Sequence, residues 1–164
     1  MDYFAYGSNI RIIHLFRLLA QHCVDPDDVS NPRQAILHGY RLRTNYFSAA
    51  HQAGACNIEP DQDAHVEGVV LSVTERVRDV LRIKEGFPQC YDEIEVEVET
   101  SRGVVPAFAY IVTPAQQLPV DLPVTPKYRQ QILDGARMFD FSPGYQRRLR
   151  RTLRALDCTL AGYE

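Results

Sequence analysis

Residues 91–114 read YDEIEVEVETSRGVVPAFAYIVTP, and their alternation decides the class of fold. Ile94, Val96 and Val98 fall at every second position between Glu93, Glu95, Glu97 and Glu99. A period of two puts the apolar side chains on one face of a strand and the carboxylates on the other. Ser101-Arg102-Gly103 supplies the turn, and the apolar-aromatic run that follows completes a hairpin with one buried and one solvated face.

Working outward, the segment just upstream, ERVRDVLRIKEG (75–86), changes period. Val77, Val80, Leu81 and Ile83 lie against Arg76, Arg78, Asp79 and Arg82, which predicts a short amphipathic helix ended by Gly86. Further upstream, HVEGVVLSV (65–73) reads as a strand in which Gly68 marks a bulge or a close backbone approach. AGACNIEP (53–60) reads as a strand ending at Pro60, and QAILHGYRLRTNYF (34–47) as one interrupted at Gly39. At the start of the chain DYFAY (2–6) is a short strand stopped by Gly7. SNIRIIHLFRLLAQH (8–22) is predicted as one helix, capped by Ser8 or Asn9. Downstream of the hairpin come a Pro-rich loop (113–126) and helical segments KYRQQILDGARMF (127–139) and YQRRLRRTLRALD (145–157). Strands clustered in the middle, with helices inserted and appended, predict an α+β fold. Its expected core is a mostly antiparallel sheet, open or closed into a barrel. One domain is expected over residues 1–164.

Composition narrows the function. A net charge of -3 argues against a nucleic-acid partner, whose binders carry a basic excess. No apolar run has the length of a membrane span, and no basic leader with an apolar core precedes the first strand, so a cytoplasmic protein without membrane partners is expected. Cys23, Cys56, Cys90 and Cys158 are too scattered for a disulfide framework, and the five histidines show no ligand spacing, so no metal or cofactor is expected.

Two stretches could carry chemistry. In AYGSN a strand runs through a glycine into a helix start. Such a junction exposes backbone N–H groups without intrahelical acceptors, able to hold an anion or a developing oxyanion, although a plain capped helix accounts for the same residues. Gly7 has no Cβ to hinder a ligand. Glu85 stands at a helix C-terminus, where the dipole favours cations. It is either a solvent-exposed glutamate or a partly desolvated carboxylate at the mouth of the sheet, able to accept and return a proton. The glutamates of EIEVEVE read as a solvated strand face, and the arginines of RRLRR as a solvated helix surface paired with that acidic strand.

Taken together, these blocks resemble the gamma-glutamylcyclotransferase (AIG2-like) family, and the resemblance implies an α+β fold with a small, mostly antiparallel β-barrel, closed or nearly closed, with flanking helices and a pocket at one rim between the YGSN turn and Glu85. YFAYGSN resembles its N-terminal signature, GYRL its second-strand signature, and CNIEPDQDAHVEGVV its Asn-apolar-x-Pro segment running into Val-x-Gly-Val-Val. EGFPQCY resembles the segment with the catalytic glutamate and a following tyrosine, and TPKYRQQILDGA the late Pro-x-Tyr helix. The chain departs from the pattern at Ile10 (usually Leu), at Arg82 (often acidic), and at Thr44 and Leu71 (both often aromatic). Arg82 and Leu71 are expected to alter the acceptor side of the pocket, as is the Pro-rich stretch from Thr113 to Pro126.

The resemblance implies conversion of a gamma-glutamyl amino acid or amine into 5-oxoproline and a free amine, by attack of the substrate's own α-amine on its γ-carbonyl. It implies a small-molecule gamma-glutamyl substrate and Glu85 as general base and acid. It also implies a cradle from Tyr3 to Asn9, including Tyr6, Gly7 and Ser8, with Tyr128 as a further contact. Tyr91 is placed in the pocket lining, where its hydroxyl finds a partner. A monomer or homodimer is expected. Removal of a gamma-glutamyl cap in natural-product biosynthesis, and a catalytically silent binding protein on the same barrel, are the alternative readings.

Overall fold

A computed structural model describes residues 1–156. Five strands form a closed barrel in the order β1-β3-β2-β4-β5. They are β1 (Asp2–Ala5), β2 (Val29–Ser48), β3 (Ala53–Val73), β4 (Tyr91–Thr100) and β5 (Gly103–Val112). The hairpin anticipated from residues 91–114 is β4–β5, with Tyr91 opposite Val112 and Thr100 opposite Gly103. Every pair of neighbours is antiparallel except β1–β5, where Tyr3 lies parallel to Phe108 and closes the barrel.

Closure depends on how tightly β1 approaches β3. Gly68 makes this possible: a Cβ there would stand 2.4 Å from the Ala5 carbonyl oxygen and 2.5 Å from Phe4 Cε2. Phe4, Ile58, Val66, Leu71 and Leu81 are fully buried around this contact, removing the apolar area that stabilises the barrel.

Four helices flank the barrel: α1 (Ile12–Gln21), α2 (Glu75–Glu85), α3 (Pro126–Met138) and α4 (Pro143–Thr152). α3 begins with Thr125, whose side chain accepts from Tyr128 N, and α4 with Ser142, whose side chain accepts from Tyr145 N. α4 is held to the sheet by a buried carboxylate. Glu67 accepts from Ser142 N at 2.8 Å, from Ser142 Oγ at 2.5 Å and from Gln34 Nε2 at 2.9 Å, so the charge is solvated by protein donors.

Several expectations are corrected. The helix predicted from Ser8 is two pieces: a 3-10 turn (Ser8–Ile10), then α1, with Arg11 extended between them at φ -86 and ψ 97. Neither Ser8 nor Asn9 caps a helix. The strands predicted for 53–60 and 65–73 are one strand, β3, which passes through Pro60. There the ladder shifts register opposite Gly39, at φ 79, and so tolerates a residue without an N–H. α4 does not pair with the acidic strand. Glu99 meets His38, and Glu93 meets Arg78 and Arg82 of α2. Asp157 and Cys158 lie outside the described residues; Cys23, Cys56 and Cys90 are free.

Candidate active site

A cavity of about 670 Å³ opens at one rim of the barrel, where the turn after β1, the C-terminus of α2, the β2–β3 connection, one face of α1 and the start of α3 converge. All eight residues singled out from the sequence line it: Tyr3, Tyr6, Gly7, Ser8, Asn9, Glu85, Tyr91 and Tyr128.

The turn is built by short-range backbone bonds. Ile10 N donates to Gly7 O at 3.1 Å and Arg11 N to Ser8 O at 3.2 Å. The N–H groups of Gly7, Ser8 and Asn9 lie ahead of the first acceptors, as at any helical start, and Ser8 and Asn9 are buried. Gly7 is not required by its φ, which is -108. It lies in the lining of the cavity, where a Cβ would make ordinary contact with Tyr128 Oη at 3.4 Å and Cys56 Cβ at 3.5 Å. Asn9 serves as a hub. Its Nδ2 donates to Tyr3 Oη at 3.0 Å, and its Oδ1 accepts from Lys84 Nζ at 3.0 Å.

Glu85 closes α2. Gly86 follows in the left-handed region (φ 64, ψ 38) and lets Phe87 N reach back to Arg82 O at 3.0 Å. The Glu85 side chain is 15% exposed and its Oε1 stands 3.3 Å from Lys84 Nζ. Lys84 also donates to Ser8 Oγ at 3.4 Å. One ammonium therefore ties the carboxylate to the turn, and answers the question raised by a carboxylate at a helix C-terminus: its counter-ion is the preceding residue. Among the described residues no other Asp or Glu lines the cavity.

The tyrosines hold a shape. Tyr6 Oη donates to Tyr110 O at 2.5 Å and Tyr91 Oη to Cys56 O at 2.7 Å. Tyr128 Oη accepts from Cys56 N at 3.0 Å. The Cys56 peptide is thus gripped at both ends by tyrosines from different elements. Tyr3 and Tyr128 accept and retain a proton to donate; Tyr6 and Tyr91 have donated theirs and retain acceptor lone pairs. Burial pushes the ionisation of Tyr3, Tyr6, Tyr91 and Tyr128 well above the ordinary phenol range, and the Glu85 carboxylate adds to each shift. All four are neutral hydrogen-bonding groups. Burial likewise pushes the Cys56 thiol up to about 12, so it is no thiolate nucleophile at neutral pH.

Other lining residues were not anticipated from sequence. His14 and Arg17 come from α1, His51 from the β2–β3 connection, and Lys127 and Gln131 from α3. His14, Arg17 and Gln21 repeat at the spacing of one helix face. That polar stripe was a readable signal, but a helix read for its apolar face passes over it. The expected acceptor-side residues are elsewhere. Leu71 is fully buried in the barrel core. Arg82 donates to Glu93 Oε2 at 2.6 Å and covers the Phe87 ring at 4.9 Å, outside the cavity. Residues 113–126 contribute nothing to the lining. Leu118 N and Leu122 N bond instead to the Asn45 and Thr44 carbonyls of β2. Among the described residues no group of three or more His, Cys, Asp or Glu is arranged to hold a metal ion, and no helix is long and apolar enough to cross a membrane.

The family model for gamma-glutamyl cyclotransferase, AIG2-like, matches residues 3–130. The chain belongs to this family. Among solved structures, this family member resembles a gamma-glutamyl cyclotransferase with a TM-score of 0.80 and 25% identity, over 97% of this chain and 90% of the other. An uncharacterized human protein gives a TM-score of 0.78 and 26% identity, over 96% and 90%. A yeast gamma-glutamyl cyclotransferase specific to glutathione shares the fold alone, at 16% identity and a TM-score of 0.62, over 93% and 95%. No curated protein sequence matches the chain.

Proposed function

We propose that this protein is an active gamma-glutamylcyclotransferase, which converts a gamma-glutamyl amino acid or amine into 5-oxoproline and the free amine. The observation that carries the reading is the placement of Glu85. Among the described residues it is the one carboxylate lining the cavity, and it is joined through Lys84 to the turn that carries the free N–H groups.

The reaction asks little else of the protein. The substrate's α-amine attacks its γ-carbonyl carbon, a C–N bond forms, and the carbonyl oxygen takes negative charge. Glu85 receives the proton released by the attacking nitrogen and delivers it to the departing nitrogen as the original C–N bond breaks, so one carboxylate is base and then acid. Lys84 Nζ, 3.3 Å from Glu85 Oε1, holds that carboxylate in position. The N–H groups of Gly7 and Ser8 are the donors for the oxyanion; such donors act most strongly where water is excluded. Tyr3 and Tyr128 offer O–H donors to the glutamyl carboxylate, and the lone pairs of Tyr6 and Tyr91 face a cationic or polar group. No enzyme nucleophile is required, in keeping with a Cys56 thiol held neutral. Folding the glutamyl chain against these walls brings amine and carbonyl together, an orientation worth on the order of 7–11 kcal/mol at its upper end.

The test is 5-oxoproline release from a panel of gamma-glutamyl dipeptides and amines, compared between the native protein and Glu85→Gln. The variant preserves size and removes the base. Turnover is expected to fall at least about 100-fold while a gamma-glutamyl ligand still binds. Release of no 5-oxoproline from any panel member by the folded native protein, or near-normal turnover in the variant, overturns the reading.

A further inference from the structure

The arginines of α4 and the glutamates of β4 are charged surfaces that the cavity leaves unused. Arg147, Arg150 and Arg151 are exposed and fall three and four residues apart, so they share one face of α4, opposite the buried Tyr145 and Leu149. Among the described residues none of these three side chains has a hydrogen bond or ion pair. On β4, Glu95, Glu97 and Glu99 are exposed at every second position, and Glu99 alone of the three has a partner among the described residues, His38 at 2.7 Å. Beside them on β5, opposite Glu99 and Glu97, Val104 is 63% exposed and Pro106 is exposed. Contacts place the two surfaces side by side. Glu99 meets His38, the His38 and His65 rings are 6.2 Å apart, and an Arg148 nitrogen of α4 is 3.2 Å from His65 Nε2. The face therefore changes from negative to positive across a seam of two histidines.

We propose that this face is an interface between two copies of this chain, related by a two-fold axis at the His38–His65 seam, with α4 of each copy laid on the β4–β5 hairpin of the other. A patch with one positive and one negative half is self-complementary under such an axis, because the rotation brings each half onto its opposite. The arginines and glutamates that do not pair within one chain then pair between two. Their spacings agree: from Arg147 to Arg151 the helix rises about 6 Å, and two residues of β4 span about 7 Å, so successive guanidiniums meet successive carboxylates. A guanidinium forks onto a carboxylate, and the apolar stems of the arginines cover Val104 and Pro106. A polyanion is the poorer occupant. It would lie against the glutamate row beside the arginines, on a chain whose net charge is -3. None of these residues lines the cavity, so the assembly is independent of the proposed reaction.

Sedimentation of the full chain over a range of protein concentrations, at low and at high salt, is the test. A dimer is expected at about 0.01 M salt, with a dissociation constant that rises at least about tenfold by 1 M, where exposed charges are screened within about 3 Å. Two variants reverse the charge of one half each, Arg147→Glu/Arg151→Glu and Glu95→Arg/Glu97→Arg. Each alone is expected to be a monomer, since like charges then face each other in both contacts. Mixed in equal amounts they are expected to form a heterodimer, because both contacts again join opposite signs. All four side chains are exposed, and melting curves check that the variants fold. Arg147→Gln/Arg151→Gln, which removes charge without reversing it, is expected to weaken the dimer at least about tenfold and serves where a reversal does not fold. A native chain that is monomeric at low salt overturns the proposal. So does a native dimer that the folded variants leave intact, and so do charge reversals that are monomeric alone and stay monomeric when mixed. Growth beyond the dimer with concentration overturns the two-fold arrangement. A monomeric native chain that binds duplex RNA, or vesicles of phosphatidylserine, through the same arginines overturns the second copy in favour of a polyanion.

Discussion

The two halves of the cavity are made of different materials. The inner half is buried and mostly neutral: four tyrosines fixed by hydrogen bonds to backbone or to Asn9, a glycine turn, and one carboxylate with its lysine. The outer half is exposed and cationic, with Arg17 and Lys127 unengaged. A rigid neutral wall suits one chemical unit that never changes, the glutamyl group and its ring closure. Loose charges at a wet rim suit a unit that varies. Under the proposed reaction, the difference teaches that ring closure and the choice of amine half are separable, and each can be broken without the other.

The largest expected effect belongs to the inner half. Gly7→Ala puts a methyl group at ordinary contact distance from Tyr128 Oη and Cys56 Cβ. The protein is expected to fold, since φ at this position is negative, and Gly→Ala at a compatible site stabilises by about 0.4–1 kcal/mol. The methyl group nevertheless occupies the approach to the turn's N–H groups, and turnover is expected to fall about 100-fold, the scale of losing one oxyanion donor. Thermal melting and single-turnover rates on one preparation decide it. A folded variant with normal rate takes the turn out of the reaction.

The next effect tests whether α2 really has two jobs. Its Lys84 and Glu85 face the cavity, while Arg78 and Arg82 grip Glu93 on β4, whose side chain is 8% exposed. Burial raises the ionisation of Glu93, but hydrogen bonds from Arg82, Arg78 and Tyr110 outweigh it, and the net effect holds the carboxyl down at about 2. A carboxyl depressed in the folded state contributes stability above the ordinary carboxylate range. That contribution is lost as pH falls from about 5 toward 2, on the order of 1–3 kcal/mol. Melting temperature followed across that window is expected to fall, and Glu93→Gln is expected to flatten the fall while lowering stability at pH 7. An unchanged slope in the variant shows that the arginine clamp does not hold α2 in place.

How much of this was legible in the sequence follows the same division. The β4–β5 hairpin and α2 were readable because each has its own period, two in one and close to four in the other, set by local burial. The inner wall was readable because YGSN, EG and PKY are local patterns with special backbone or chemical demands. The continuity of β3 through Pro60 was not readable, since it rests on a register shift in the pairing with β2, between His38↔His65 and Tyr40↔Pro60, which the segment alone does not reveal. The break at Arg11 was equally hidden. It depends on α3: a Cβ at Gly135 would stand 2.5 Å from Ile10 Cγ1 and 3.1 Å from Arg11 N, so the helix packs directly on the extended residue. The outer wall was only partly readable, for a related reason: the polar stripe of α1 shows in its spacing, but not what it faces. His14, Arg17 and Lys127 are ordinary surface residues on their own helices, and only the convergence of α1 and α3 makes them one surface.

The smallest expected effect is the most direct probe of the comparison itself. Coulombic attraction by exposed charges is screened over a distance that shrinks from about 30 Å at 0.01 M salt to about 3 Å at 1 M. Arg17 and Lys127 are exposed, so their pull on a distal anion should fade across that range. The hydrogen bonds of the inner half, short and largely buried, should not. For gamma-glutamyl-alanine, KM is therefore expected to rise about threefold between the two salt concentrations, the loss of a fraction of a kcal/mol that exposed pairs typically contribute. kcat should hold steady, since the proposed proton transfer at Glu85 belongs to the inner half. For gamma-glutamyl-alaninamide both constants should stay level, because the glutamyl group it shares with the acid meets only the buried wall. Parallel rises in KM for acid and amide would place the salt-sensitive contact at the glutamyl end, with Lys84 as its source, and the boundary between the two halves would have to be drawn on the other side of that lysine.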